Sequence, residues 1–205
     1  EHINELKYYE PREYMILDIN TRTNLEIHET IMGKEKKGSL LWLLDKTSTA
    51  MGGRLLKNWL EQPLVNIKEI EKRQEIVEIF LKNIMLMDQT KNCLKKIYDL
   101  ERLVSKISFG NCNARDLCSL KISIGKIPEL KKLLIQSDNN ILIQLGMEID
   151  SLKDIYTLID ESIVDNPPIS IKEGGLIKLG YDKELDELKK ASIEGKQWLA
   201  KLEEQ

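Results

Sequence analysis

The sequence predicts a mainly α protein: a multi-helix bundle with a short N-terminal β element and a long C-terminal helical arm. Three observations support this fold class. Apolar residues recur every three to four positions from residue 40 onward, capping residues precede several of these runs, and glycines and prolines separate them. The chain has 205 residues, 41% of them hydrophobic, so it can bury a core without disulfides.

The first residues carry the only pattern typical of strands. Residues 1–13 are polar and aromatic, which predicts a linker from a preceding domain. Residues 14–19 form a short apolar run, and residues 25–28 alternate between apolar and polar side chains. This alternation is typical of a strand, so we expect the two pieces to pair as the N-terminal β element.

The next elements are predicted as helices with clear ends. Ser39 is a good N-cap for a helix over residues 40–44. A second helix should run from about residue 49 to 61 and stop before Pro63, because proline disfavours helix at the residue ahead of it. Apolar residues from Ile67 to Ile84 then share one helix face.

Further caps mark the middle of the chain. Asp99 can cap a helix that Gly110 ends. Asn113, with Asp116 three positions later, has the spacing of a capping box. Pro128 suits the first turn of the helix that follows.

The most regular period lies between residues 142 and 163. Its apolar spacing of 3-4-3-4-3-4 is typical of the seam between packed helices. Ser151 and Asp154 could also cap a new helix, so the run is either one helix or two. Its members are Leu142, Leu145, Ile149, Leu152, Tyr156, Ile159 and Ile163.

The C-terminal part follows the paired prolines 167 and 168. Residues 169–177, around Gly174 and Gly175, predict short extended pieces with a tight turn. A last helix should start near Asp182 and continue to the end, over roughly 35 Å. So few apolar residues for this length predict an arm that leaves the body. Because the helical pattern still runs at Gln205 and no initiator Met is present, we expect a piece of a longer protein.

Few residues suggest chemistry. The three cysteines (Cys93, Cys112 and Cys118) lack CxxC spacing, and the chain has only two histidines, so the sequence predicts reduced thiols and no metal site. Gly33 and Gly38 have P-loop spacing, but Ser39 stands where the phosphate-binding lysine would be needed. We therefore expect neither a bound cofactor nor an enzyme in this segment.

Two local features allow alternatives. Residues 91–132 hold ten basic residues against four acidic ones, which predicts either a face for nucleic acid or an acidic neighbour, or cations spread around several helices. Gly52 and Gly53 lie inside a predicted helix, where each glycine costs about 1 kcal/mol relative to alanine. Either the helix bends there or another backbone packs closely, and the flanking Ala50 and Met51 favour close helix contact.

One stretch is specific enough to suggest a family. Residues 38–64, with TAMGGRLL and WLEQPL, resemble the core region of the MutS family of DNA mismatch-recognition ATPases. The resemblance covers essentially the whole chain and is closer to bacterial than to eukaryotic members. It continues at YDLERL (98–103), ARDL (114–117), DNPP (165–168) and EGG (173–175). One departure is Ala114, where the family pattern has proline.

This resemblance implies a division of labour. The family's mismatch-reading Phe-x-Glu lies in an N-terminal domain and its Walker motifs in a C-terminal ATPase domain, and neither occurs here. The resemblance implies that residues 14–166 are a helical core and lever domain. Residues 167–205 would be a connection and the first helix of an incomplete clamp.

The expected role is structural. The segment would link the mismatch-binding and ATPase domains of a cytoplasmic protein, with no membrane contact, and transmit conformational change between them. ATP and Mg²⁺ would be held by the absent ATPase domain, and the full protein would bind mismatched duplex DNA as a homodimer. The alternative is a protein-docking module that recruits a repair partner through the basic helices.

Candidate residues follow from the same reasoning. Lys189, Lys190 and Lys196 on the arm are candidate DNA contacts, although the arm carries five basic and six acidic residues. Strong phosphate binding needs an excess of cations, so the isolated segment should bind duplex DNA weakly. The hinge or packing candidates are Gly52, Gly53, Pro168, Gly174, Gly175 and Tyr181.

Overall fold

The computed structural model describes residues 14–203, so the predicted linker over residues 1–13 lies outside them. The described part is mainly helical, and it contains no sheet. Two isolated antiparallel bridges pair Tyr14 with Leu64 and Ile163 with Ile177. The helices are α1 (Ile19–Asn24), α2 (Leu40–Leu44), α3 (Ala50–Glu61), α4 (Ile67–Lys82), α5 (Ile84–Leu94), α6 (Leu100–Ser108), α7 (Ala114–Ile124), α8 (Ile127–Ile135), α9 (Asn140–Glu148), α10 (Lys153–Ser162) and α11 (Lys183–Glu203), with a 3₁₀ turn at Ile171–Glu173.

The predicted N-terminal β element is not formed in the described residues. Asp18 instead caps α1, because its carboxylate accepts a 2.6 Å hydrogen bond from the N–H of Thr21. Residues 25–29 form a turn whose carbonyls at Glu26 and Ile27 accept bonds from the first N–H groups of α2. Four alternating residues are too few to outweigh this local capping, and the buried Ile27 serves as an anchor for α2 rather than as a strand residue.

The helix starts predicted near residues 39, 49, 99 and 113 are confirmed. The hydroxyl of Ser39 accepts a hydrogen bond from Trp42 N–H, and that of Thr49 accepts one from Gly52 N–H. Asp99 caps α6, and Asn113 forms the full capping box at the start of α7. Each cap satisfies N–H groups that have no partner inside the helix.

Two breaks depart from the apolar period. Asn83 ends α4 and caps α5 at once, so Ile84 begins a new helix instead of extending the earlier face. The run from residue 142 to 163 forms two helices, which is the second of the two alternatives that the sequence left open. The cap is not Ser151, however: Leu152 holds a left-handed backbone with φ of 46°, and its N–H donates to Asp150.

The core consists of two clusters that α8 joins. The smaller contains Leu86, Leu134 and Leu142, from α5, α8 and α9. Close packing of α8 and α9 depends on the buried Gly146. A methyl group added there would lie 2.9 Å from Cγ1 of Ile135. The larger cluster contains Leu103, Ala114, Cys118, Leu120, Ile124, Ile127, Ile159 and Ile163.

The last helix begins where the sequence predicts. Asp182 precedes α11, and its carboxylate accepts a 2.9 Å hydrogen bond from Leu185 N–H. The helix has 21 residues, which corresponds to about 31 Å at 1.5 Å per residue. Within the described residues, no helix has the length and apolar character that crossing a bilayer requires.

Candidate functional site at the base of the last helix

The connection between α10 and α11 folds back onto the end of α10. Ile163 pairs with Ile177 in an antiparallel bridge. Two backbone hydrogen bonds flank it: Val164 N–H donates to Leu176 O at 3.0 Å, and Lys178 N–H donates to Ser162 O at 2.8 Å. The connection is therefore attached to the body by its own main chain before α11 starts.

Lys121 on α7 binds two carboxylates at the end of α10, one inside the helix and one just after it. Its ammonium group donates to Asp165 at 2.8 Å and to Asp160 at 3.1 Å, and the side chain is only 13% exposed. The hydrogen bond to Asp165 is the main reason that the pKa of Lys121 lies above its ordinary value, and the same bond lowers the pKa of Asp165. Lys121 consequently stays charged at physiological pH.

Three further long side chains fasten the connection through main-chain oxygens. Lys178 donates to Asp160 O at 2.6 Å, and Arg115 on α7 donates to Pro167 O at 3.0 Å. Lys189, two turns into α11, donates to Ile177 O at 3.0 Å. Together with Lys121 they define the junction, the set of ties that joins α7, α10, the connection and α11.

The connection between α10 and α11 also contains backbone conformations that only glycine adopts readily. Gly174, Gly175 and Gly180 have φ values of 71°, 73° and 88°, in the left-handed region. A methyl group added at any of these three positions would meet no atom within 4 Å. The backbone, rather than a close neighbour, therefore requires glycine there.

A second long-range tie joins α3 to the start of α6. Arg54 on α3 donates to both carboxylate oxygens of Asp99, at 2.9 and 2.7 Å, and its Nε donates to Glu101 at 2.8 Å. These hydrogen bonds lower the pKa of Asp99. Since Asp99 also caps α6, one carboxylate fixes the start of α6 and connects it to α3.

The comparison with protein families decides what kind of segment this is. Residues 20–204 match the family model described as MutS domain III. The chain belongs to the MutS domain III family.

Its relatives are proteins named DNA mismatch repair protein MutS. That of Clostridium novyi (strain NT) is 52% identical over 204 residues, which cover 100% of this chain and 22% of the relative. That of Alkaliphilus oremlandii (strain OhILAs) is 53% identical over 203 residues, or 99% of this chain and 23% of the relative. That of Clostridium tetani (strain Massachusetts / E88) is 52% identical over 202 residues, covering 98% and 23%. The chain thus spans less than a quarter of the length of these relatives.

The connection that the junction fastens in this MutS domain III contains four of the six predicted hinge or packing residues. Gly174 and Gly175 lie in the connection, Pro168 starts it, and the half-exposed Tyr181 ends it next to α11. The sequence did not single out Asp160 or Lys178, because their contacts join positions far apart in the chain. The paired prolines were the nearest sequence signal for this site.

Gly52 and Gly53 lie elsewhere, and their close neighbour is not another helix. A methyl group on Gly52 would lie 3.1 Å from Oγ1 of Thr49 and 3.4 Å from Cβ of Thr47, and one on Gly53 would lie 3.4 Å from Oγ1 of Thr47. The expectation of close helix contact is therefore wrong. These glycines make room for the loop that leads into α3, while α3 continues through them.

The candidate DNA contacts on α11 have different surroundings. Lys189 is partly buried and engaged with Ile177 O, whereas Lys190 is exposed. The side chain of Lys196 lies outside the described part of the structure. DNA binding by these three lysines stays a prediction of the MutS resemblance.

The basic residues between 91 and 132 are spread over α5 to α8. Half of them have a partner within the described residues: Lys106 pairs with Asp116, Lys121 with Asp160 and Asp165, and Lys126 with Glu129, while Arg115 and Lys131 donate to main-chain oxygens. This arrangement favours the interpretation of dispersed cations over that of one continuous basic face.

The described residues of this MutS domain III offer little for metal or thiol chemistry. No group of three or more His, Cys, Asp or Glu side chains among residues 14–203 could hold a metal ion. Cys93, Cys112 and Cys118 are all free, and burial raises the pKa of each thiol. A raised pKa lowers the thiolate fraction, so these cysteines are poor nucleophiles.

Proposed function

We propose that this chain is the core and lever segment of a DNA mismatch repair protein. It would link the parts that bind mismatched DNA to the parts that hydrolyse ATP and transmit conformational change between them. The observation that carries this proposal is the junction, where four side chains tie α11 and the connection to α7 and α10. A movement of α11 would therefore act on the body.

The physical argument rests on coupling between sites. When two ligands influence each other's binding, each must favour one arrangement of the material that lies between their sites. A body of packed helices with discrete arrangements can carry such a coupling. The three glycines with open surroundings would let the connection change direction. Lys178 would hold the connection to α10, and Lys189 would hold α11 to the connection.

The wider roles follow from the same proposal. Residues 14–166 would form the core and lever domain, and residues 167–205 the connection and the first helix of a clamp, with α11 as an arm directed toward DNA. ATP and Mg²⁺ would bind another domain, so the segment itself would not be an enzyme. The whole protein would act on mismatched duplex DNA in the cytoplasm as a homodimer.

Neighbouring lysines provide the test. In the full-length protein, Lys189→Met removes the tie to Ile177 O, whereas Lys190→Met removes an exposed cation on the next residue of α11. We expect Lys189→Met to change the rate of ATP-triggered release from a mismatched duplex by several-fold and to leave ATP hydrolysis without DNA unchanged. Lys190→Met should keep the wild-type release rate.

Equilibrium binding to the mismatched duplex without ATP separates the two roles of these lysines. If these lysines acted only as DNA contacts, both substitutions would lower that affinity and would reduce the salt dependence of binding. Wild-type release by a folded Lys189→Met protein would refute the lever proposal.

A further inference from the structure

A small pocket lies at the corner between α5 and α6. It has a volume of about 330 Å³ and combines a basic rim with an apolar floor. The end of α5 and the segment after it supply most of the lining, and α7 closes the opposite side. The lining residues are Lys95, Lys96, Ile97, Tyr98, Ile122 and Lys126.

The rim of this corner pocket carries two uncompensated charges. Within residues 14–203, Lys95 and Lys96 have no carboxylate at ion-pair distance, and both are exposed. Lys126 is different, because its ammonium group lies 3.4 Å from Glu129. Asp99, the acidic residue nearest in sequence, is engaged by Arg54. An anionic group entering the pocket would therefore meet Lys95 and Lys96 without displacing an existing partner.

The floor offers apolar and aromatic surface at a fixed position. Tyr98 is 52% exposed and Ile122 is 46% exposed, although both adjoin the core helices. The N–H of Tyr98 donates a 3.0 Å hydrogen bond to the hydroxyl of Ser123, a residue with no exposed surface. The main chain at Tyr98 is thus attached to α7. An exposed tyrosine held in this way is typical of residues that anchor protein interfaces.

We propose that the corner pocket binds a short acidic segment of a partner protein. An apolar side chain of that segment would sit on Ile97, Tyr98 and Ile122, and carboxylates on either side of it would pair with Lys95 and Lys96. This docking role adds to the lever role and does not depend on it.

The observations favour an acidic peptide over a nucleic acid. Tight binding to a phosphate backbone requires a series of unpaired cations along the groove. Here only Lys95 and Lys96 are unpaired at the pocket, which is too few to neutralise a run of phosphates. An apolar floor beside two cations matches a segment whose apolar centre is flanked by acidic residues, for which both features contribute to binding.

The test uses a fluorescein-labelled peptide, Asp-Glu-Leu-Phe-Asp-Glu, and fluorescence anisotropy with the full-length protein at low salt. We expect saturable binding that the double substitution Lys95→Glu/Lys96→Glu weakens by about tenfold or more, as loss of two partly desolvated charge pairs implies. The matched control is Lys68→Glu/Lys72→Glu, which makes the same charge change at two exposed positions of α4 and should keep the affinity. A peptide with Ser-Ser in place of Leu-Phe should also bind less tightly.

Several outcomes would overturn the proposal. These are the absence of saturable binding to the wild type, an equal loss in both double variants, and equal affinity for the Ser-Ser peptide. Tighter binding of a single-stranded oligonucleotide through Lys95 and Lys96 would assign the site to nucleic acid instead. If the charge-reversed protein does not fold, Lys95→Gln/Lys96→Gln removes both charges with little change in shape and must also lose peptide affinity.

Discussion

The close approach of α8 and α9 makes Gly146 the most informative position for a stability measurement. In Gly146→Ala, the new methyl group would lie 2.9 Å from Cγ1 of Ile135, 3.0 Å from Cβ of Leu134 and 3.2 Å from the backbone nitrogen of Ile135. Carbon atoms in contact prefer about 3.5 to 4.0 Å. Rotating one side chain cannot relieve all three contacts, so the two helices would have to move apart.

The expected magnitude is the difference between two opposing effects. Overpacking of a filled core costs about 1–3 kcal/mol. Replacing a glycine inside a helix by alanine returns up to about 1 kcal/mol. We therefore expect Gly146→Ala to lower the free energy of unfolding by about 1 kcal/mol, and the melting temperature by about 2–4 °C for a chain of this size.

Gly195 provides the control for this prediction. It lies in α11, and a methyl group there would meet no atom within 4 Å, so Gly195→Ala should only gain helix propensity, by about 0.5–1 kcal/mol. Urea unfolding of the 205-residue chain, followed by far-UV circular dichroism, measures both variants. If Gly146→Ala proved as stable as the wild type, the tight contact between α8 and α9 would be refuted.

Three other predictions use the capping box, the thiols and the charge balance. The hydrogen bond from Lys106 lowers the pKa of Asp116 in the folded protein. The carboxylate therefore stabilises the fold above the unfolded pKa of about 3.9. This contribution is lost as pH falls through the lower pKa of the folded state. Asp116→Asn should thus cost about 1 kcal/mol at pH 7, and the difference from the wild type in urea titrations should shrink between about pH 5 and pH 3. Iodoacetamide should label the partly exposed Cys112 before the buried Cys93 and Cys118, and mass spectrometry showing the reverse order would contradict the burial pattern. The isolated chain, with net charge −3, should show no sub-micromolar binding to duplex DNA in fluorescence anisotropy at low salt.

Helix starts were predictable because their cause is local. Ser39, Asp99 and Asn113 each satisfy an N–H group three positions ahead, so residue type and spacing suffice to identify them. The same local effect explains the wrong prediction at the N-terminus. Asp18 caps α1 in a stretch whose apolar residues resemble a strand, and its capping role was not recognised.

Helix breaks were harder to predict because the apolar period continues across them. Asn83 interrupts the face that runs from Ile67 to Ile84, and Leu152 interrupts the run from 142 to 163. At Leu152 the backbone is left-handed, a conformation that is unfavourable for leucine and that its sequence neighbours do not indicate. At this point Leu152 packs against the larger core cluster, and its N–H also donates to the Asp150 side chain two positions earlier.

The junction could be predicted only in part for a similar reason. Glycine and proline marked the connection, since both change the allowed backbone conformations wherever they occur. The ties that α7 makes join residues 39 to 52 positions apart, as in the contacts of Lys121 with Asp160 and of Arg115 with Pro167. No spacing rule links lysine or arginine to partners at such distances.

The nature of the acceptors at the junction has a consequence for mutational tolerance. Arg115, Lys178 and Lys189 all donate to carbonyl oxygens, at Pro167, Asp160 and Ile177. Every amino acid carries that carbonyl, so replacing an acceptor residue leaves the bond's oxygen in place, whereas replacing a donor removes the bond outright. Pro167 and Ile177 should therefore tolerate substitution better than Arg115 and Lys189, whereas Asp160 also accepts a hydrogen bond from Lys121 through its side chain.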